Sequence, residues 1–326
     1  MIEGHGDDGY RYGQIRMNFS SNIYAHADLS ALKAYLATCL DGIASYPDPS
    51  PRHLEGLIAD DCGLEASEVL VTAGATEAIY LIAQTLRDEP TYRVFRPAFS
   101  EYEDACRLFG YREAGQAALC WLCNPDNPTG KVYDKDYVKD LSRQHRVLVL
   151  DQSYEDYTAR PLLSPSEAVA LGNVIQLHSM TKRYGVPGLR LGYVTASAAL
   201  IARLRAGMRP WAVNTLALRA GEWLLREKPR ILPDMKAYLS EARRLREHLN
   251  EIEGIEMAPT STNFMLGTVS PAMAADLKDY LALQKGMLIR DASNFKGLTP
   301  HHFRVAAQKP EEDDALVEAI KEFVTQ

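Results

Sequence analysis

SMTKRYGVPGLRLGY, residues 179–193, sets Lys182 three positions after Ser179 and eight before Arg190, with Pro187 and Gly188 between them. A lysine amine forms a Schiff base only when it loses its proton and sits in a fixed pocket. A hydroxyl and a guanidinium on either side can hold an anionic anchor. The spacing therefore suits a lysine bound to a phosphorylated aldehyde, with Ser179 and Arg190 gripping the phosphate. A single lysine in a basic turn is ordinarily only solvated, so the reading depends on the rest of the chain.

Three stretches upstream bear on it. CNPDNPTG (residues 123–130) follows the apolar run 117–122 and reads as a turn after a buried strand, because two prolines and two asparagines cannot continue a sheet. VLVLDQSYEDY (147–157) opens as an apolar strand and ends in Asp151, at the carboxyl end where open α/β sheets place their ligands. VLVTAGATEAIYLIAQTL (69–86) reads as a strand ending in Thr72, a small-residue turn, and a helix running on from Thr76 with apolar residues at helical spacing. The amino terminus of such a helix offers unpaired N–H groups and a favourable dipole, so Ala75 and Thr76 become the expected phosphate cradle.

Taken together and in this order, the four stretches resemble the signature of fold-type I pyridoxal-phosphate enzymes, the aspartate aminotransferase superfamily of class I/II. The resemblance covers nearly the whole chain. It implies pyridoxal 5'-phosphate as cofactor and Lys182 as its covalent anchor. It also implies Asp151 opposite the pyridine nitrogen, Asn127 and Tyr154 at the phenolic oxygen, and Phe99 stacked on the ring. Lys182, Asp151 and Tyr154 are thus the expected catalytic residues. Tyr46, in YPDPSPRHLEGLIA (46–59), resembles the tyrosine that reaches a partner's cofactor phosphate, which implies a two-fold homodimer. Arg304, in HHFRVAAQ (301–308), resembles the arginine that binds a substrate α-carboxylate.

Composition agrees. The 326 residues, 46% hydrophobic, can bury one large core and a smaller one. A net charge of −7 argues against a nucleic-acid surface, which is normally basic. The polar start MIEGHGDDGYRYG holds no apolar stretch of signal or membrane length, so a cytoplasmic, membrane-free protein is expected. Cys39, Cys62, Cys106, Cys120 and Cys123 are odd in number and scattered, as reduced intracellular thiols are. Cys120 and Cys123 form a C-x-x-C pair without a second pair or nearby histidines, so core packing is expected and no metal.

Strand and helix alternate over about residues 30–196, which predicts a mostly parallel sheet covered by helices. The expected organisation is a large cofactor-binding α/β domain over 28–215, with 1–27 and 216–326 forming an amino-terminal arm and a small α+β domain. Within the latter, 234–252 and 310–324 read as helices, the second opened by Pro310, and 263–269 and 302–307 as strands. EARRLREHLNE and KPEEDD read as a solvated helix face and a helix start.

The fold does not choose the reaction. Two subfamilies are most similar, L-threonine-O-3-phosphate decarboxylase and histidinol-phosphate aminotransferase. GMLIRDASNFKGL (286–298), RPAFSEYEDACRLFGY (96–111), and the opening GHG followed by MNFSSNI resemble the decarboxylase. That resemblance implies release of CO2 from L-threonine O-3-phosphate to give (R)-1-amino-2-propanol phosphate for cobalamin assembly. His5 and Arg290 would then meet the substrate phosphate, and Asn22 and Arg304 its carboxylate. The alternative is amino transfer from histidinol phosphate to 2-oxoglutarate; a third reading is a non-catalytic cofactor-binding regulator, against which intact Lys182 and Asp151 weigh. MNFSSNIYAHAD lacks the usual Asn-Pro, Gln152 follows Asp151 where glutamate is common, and Ala292 stands where cysteine is frequent; these departures touch substrate detail.

Overall fold

A computed structural model describes residues 6–229 and 231–325. His5 lies outside the described residues. The strands are β1 (Met17–Asn18), β2 (Val69–Thr72), β3 (Thr91–Val94), β4 (Arg112–Glu113), β5 (Leu119–Cys123), β6 (Val147–Asp151), β7 (Val174–His178), β8 (Gly192–Thr195), β9 (Ile255–Met257), β10 (Phe264–Val269), β11 (Met287–Leu288), β12 (Arg290–Asp291) and β13 (His302–Ala306). The helices are α1 (Ser30–Thr38), α2 (Arg52–Cys62), α3 (Ala75–Thr85), α4 (Glu101–Leu108), α5 (Lys135–Ser142), α6 (Pro165–Leu171), α7 (Met180–Arg183), α8 (Ala198–Gly207), α9 (Thr215–Glu227), α10 (Met235–Asn250), α11 (Ala274–Tyr280) and α12 (Pro310–Val324).

A seven-stranded sheet runs in the order β2-β8-β7-β6-β5-β3-β4. All its pairings are parallel except those of β8, which runs against both β2 and β7. The central strands are buried on both faces and read accordingly as unbroken apolar runs. Alternation sorts their side chains. Leu119, Trp121, Cys123 and Val149 face a core shared with α3, α4 and α8, whereas Cys120, Leu122, Leu148 and Leu150 face one shared with α5 and α6. Cys120 and Cys123 therefore point to opposite faces of one strand and cannot converge on one ion.

The second sheet, β12-β13-β10-β9, is antiparallel and packs on α10 and α12 around Phe264, Phe303, Leu245 and Leu316. Pro310 opens α12 as expected, since its missing N–H would have no partner in the first turn. Residues 17–18 join the second sheet's side by parallel pairing of β1 with β11. The apolar face of α9 lies with α1, α2, Val69 and Val71 at the edge of the large sheet. Among the described residues no helix is long and apolar enough to cross a membrane.

Register brings the four motifs together. Thr72 pairs with Gly192, Tyr193 with His178, Leu177 with Asp151, and Asp151 with Cys123. One end of the sheet thus presents the cradle turn, the lysine segment, the aspartate and the asparagine turn side by side.

Candidate active site

A cavity of about 1320 Å³ opens at this end of the sheet, walled on its other side by Arg290, Asn294, Phe295 and Arg304 of the second sheet. Seven of the expected residues line it: Thr76, Phe99, Asn127, Tyr154, Lys182, Arg290 and Arg304. Lys182 follows β7 on the single turn of α7. Its Nζ donates to the Ser21 carbonyl at 3.3 Å and stands 5.5 Å from the centre of the Tyr154 ring.

Asp151 ends β6, nearly buried, with both carboxylate oxygens held. Tyr102 on α4 donates to Oδ2 at 2.5 Å, and the Ser153 N–H donates to Oδ1 at 2.9 Å. Burial, reinforced by the Asp151 carboxylate, pushes the Tyr102 phenol far up and keeps it a donor. Its ring stacks on Trp121 at 5.2 Å, which fixes the hydroxyl in place. Tyr102 was not foreseen: it lies in the quoted string 96–111, yet only packing brings it to a residue 49 positions away.

Arg304 on β13 is fully buried in this wall. It donates through Nη1 to Asn127 Oδ1 and through Nη2 to the Ser20 carbonyl at 2.6 Å, while its Nε has no partner among the described residues. Burial lowers it to about 10, helped by nearby Arg290 and opposed by Tyr154. Arg290 is Arg304's cross-strand partner in register, nearly buried, with Nη2 donating to Asn294 Oδ1 at 2.7 Å.

The other expected residues fall around these. Asn22 is fully buried behind the wall formed by Ser20, Ser21 and Ile23, in the left-handed region at φ 58°, and neither of its side-chain amide atoms has a partner among the described residues. Ser179 is nearly buried and its hydroxyl bonds Thr181 Oγ1 at 2.8 Å; it does not line the cavity. Arg190, also left-handed at φ 55°, is exposed, and its Nη1 donates to the Pro187 carbonyl at 3.0 Å. Its guanidinium lies beside the Gly74 turn that precedes α3. Tyr46 is 83% exposed and tilts against Trp211 at 5.2 Å, away from this chain's cavity walls.

Gln152 follows Asp151 into a buried chain under the site. Gln176 Nε2 donates to Gln152 Oε1 at 2.7 Å, Thr195 Oγ1 donates to Gln176 Oε1 at 3.0 Å, and His178 joins Thr195 to Glu155 at 3.1 and 2.9 Å. Among the described residues the Gln152 side chain is bonded only through this acceptor oxygen.

Pyridoxal phosphate fits these residues. The first-turn N–H groups of α3, at Ala75 and Thr76, have no intrahelical acceptor and adjoin Arg190. Gly192 keeps this cradle open: a Cβ there would stand 2.8 Å from the His178 carbonyl oxygen and 3.0 Å from the Ala75 nitrogen. Both are backbone atoms that cannot step aside. Gly192→Ala should therefore weaken cofactor retention about tenfold and cost about 1–3 kcal/mol of stability through overpacking. Absorbance of bound cofactor and thermal melts measure the two effects, and a variant matching the parent in both refutes the cradle.

Comparison with known proteins agrees with this geometry. Residues 110–320 match the family model "Aminotransferase class I and II". The crystal structure of L-threonine-O-3-phosphate decarboxylase from Porphyromonas gingivalis superposes with a TM-score of 0.91 at 32% identity, covering 95% of this chain and 100% of that one. The threonine-phosphate decarboxylase of Salmonella typhimurium is 28% identical, covering 95% of this chain and 91% of its own length. The histidinol-phosphate aminotransferase of Symbiobacterium thermophilum is 31% identical, covering 86% and 82%. With a lysine and a helix amino terminus brought to one cavity, at the sheet end where Asp151 closes β6, the chain belongs to the aminotransferase class I and II family and is a pyridoxal-phosphate-dependent enzyme.

Proposed function

We propose that the enzyme removes the α-carboxyl group of L-threonine O-3-phosphate as CO2, giving (R)-1-amino-2-propanol phosphate. The observation that carries this reading is the pairing of Arg290 with Arg304 directly across two strands, both nearly buried and both in the cavity wall with Lys182. Like charges at opposed positions destabilise a sheet, and burial adds a desolvation cost. A substrate with two anionic ends offsets both. Its carboxylate and phosphate each match a guanidinium fork. Likeness to the Porphyromonas gingivalis and Salmonella typhimurium decarboxylases supports the same choice.

In this reading Lys182 holds the cofactor's aldehyde, Asp151 its ring nitrogen, Asn127 and Tyr154 its phenolic oxygen, and Phe99 its ring face. Ala75, Thr76, Ser179 and Arg190 hold its phosphate. Tyr46, exposed beside Trp211, meets the phosphate of a partner subunit in a homodimer. Once bound, the cofactor supplies an electron sink for the pair left on the α-carbon when CO2 departs. Arg304 turns the carboxylate so that its bond to the α-carbon breaks rather than the C–H bond. Its dry surroundings strengthen that grip. Arg290 holds the phosphate at the far end, and Lys182 Nζ returns a proton to the α-carbon.

The test is incubation of cofactor-loaded enzyme with L-threonine O-3-phosphate and no keto acid while CO2 is recorded. Sustained release supports the reading. No release, with amino transfer from histidinol phosphate to 2-oxoglutarate, establishes the second reading, which the likeness to the Symbiobacterium thermophilum enzyme favours. Arg290→Ala should cut kcat/KM for the phosphorylated substrate roughly a hundredfold, mainly through KM, since a charge-assisted fork is lost. Cofactor retention should hardly change, and an equal loss of cofactor would overturn the role given to Arg290.

A further inference from the structure

Lys182 sits on the single turn of α7, and one turn of helix is too short to hold itself in place. Its rigidity has to come from its surroundings. Tyr157, fully buried, donates its hydroxyl to the Lys182 carbonyl at 3.0 Å and accepts the Tyr24 N–H at 3.3 Å. The main-chain N–H groups of Tyr184 and Gly185 also reach that carbonyl, the latter at 3.4 Å. Burial pushes the Tyr157 phenol up, so the hydroxyl keeps the proton it donates. At the far end of the lysine, Nζ donates to the Ser21 carbonyl at 3.3 Å. Both ends of Lys182 are therefore tied to one short stretch of the amino-terminal arm, residues 21–24.

That stretch is itself held residue by residue. The Ser20 carbonyl accepts from Arg304 at 2.6 Å, the Asn22 carbonyl from Asn263 Nδ2 at 3.4 Å, and the Ile23 carbonyl from Gln308 Nε2 at 3.1 Å. Gln308 Oε1 accepts the Ala25 N–H at 2.9 Å, so one buried amide grips the arm on either side of Tyr24. Gly185, left-handed at φ 63° just after α7, lets the lysine turn close on the arm, since a Cβ there would stand 3.0 Å from Ala27 Cβ. Neither Tyr157 nor Gln308 lines the cavity, so any effect they have on the chemistry passes through the lysine and the arm.

We propose that Tyr157 is a positioning residue for Lys182: its hydroxyl, with Gln308 steadying the arm from the far side, fixes the lysine's main chain against the segment whose Ser21 carbonyl receives its amine. The amine then rests at one defined place in the cavity, and every step that uses it starts from there. This rests on the assignment of Lys182 as the cofactor's anchor and proton carrier.

The test uses the full chain. Cofactor is removed and pyridoxal 5'-phosphate is added back while the yellow colour of lysine-bound cofactor is recorded, and kcat and KM are measured on the reloaded enzyme. Tyr157→Phe should slow recolouring and lower kcat about tenfold each, with KM for L-threonine O-3-phosphate within about twofold, because placement of the amine is lost and substrate binding is not. Gln308→Leu carries the same expectation and serves if the phenylalanine variant does not fold. Tyr111→Phe controls for stability alone: it also removes a buried phenol bond, to the Leu86 carbonyl at 2.6 Å, and lines no cavity wall. It should lower the melting temperature by about 2–4 °C, as Tyr157→Phe does, and leave both rates at the parent's value. Lys182→Ala should develop no such colour; if it does, the anchor assignment falls and this proposal with it. If the parent releases no CO2, only the proposed reaction fails, and slowed recolouring in Tyr157→Phe still supports the positioning role. Parent rates in folded Tyr157→Phe or Gln308→Leu, or an equal slowing in Tyr111→Phe, overturn it.

Discussion

Lys182→Ala is expected to abolish turnover, with kcat falling at least ~10⁴-fold, because in the proposed mechanism the residue both anchors the cofactor and moves the proton. The other lysine in the cavity wall cannot take over. Lys296 is engaged by Glu103 at 3.4 Å and Glu113 at 3.6 Å, on the far side from the lysine turn after β7. Lys182 instead has one carbonyl partner, Ser21, at 3.3 Å, and faces the Tyr154 ring. The fold should survive, since the lysine is only partly buried. The check is CO2 release by purified variant of unchanged melting temperature, together with loss of the yellow colour of lysine-bound cofactor. A variant retaining full turnover would sink the mechanism.

Asp151→Asn should have the next largest effect, a fall in kcat of roughly 10³, mainly from electrostatics. Two donors converge on the carboxylate, the Tyr102 hydroxyl and the Ser153 N–H. Asparagine can accept one of them but must turn its NH2 toward the other, and it carries no charge to hold a protonated ring nitrogen. Tyr102→Phe removes only the orienting bond and should cost about tenfold. Measuring kcat for both variants separates charge from orientation. Equal losses would show that Asp151 acts through geometry and not through its charge.

Much of this site is legible in local sequence, and the reason is its strand-end construction. Thr72 and Asp151 each close a buried apolar run, and each run became a strand where expected, while Lys182 follows β7 on the turn after it. The helix from Thr76 began one residue earlier, at Ala75, because the left-handed Gly74 turn already frees the chain to wind. The later helices and strands also fell close to expectation, since Pro310 and the charged face of α10 are local signals. The stretch 215–227 is amphipathic wherever it packs, and its sequence carries no mark of which core it joins.

Contacts between distant segments were illegible for a related reason. The carbonyls of Ser20 and Ser21 that receive Arg304 and Lys182 are backbone groups without any residue signature. Tyr102 against Asp151, and Asp8 against Lys278, depend on how elements stack and not on spacing.

The sequence by itself determined the type of each element, the cofactor motifs and their order along the chain, because caps, turns and apolar periods act within a few residues. Tertiary structure alone decided that Arg290 faces Arg304, that Ser179 bonds Thr181 outside the cavity wall, and that Asp8 pairs with Lys278. Those outcomes depend on strand register and sheet packing, where a shift of one residue reverses every side chain.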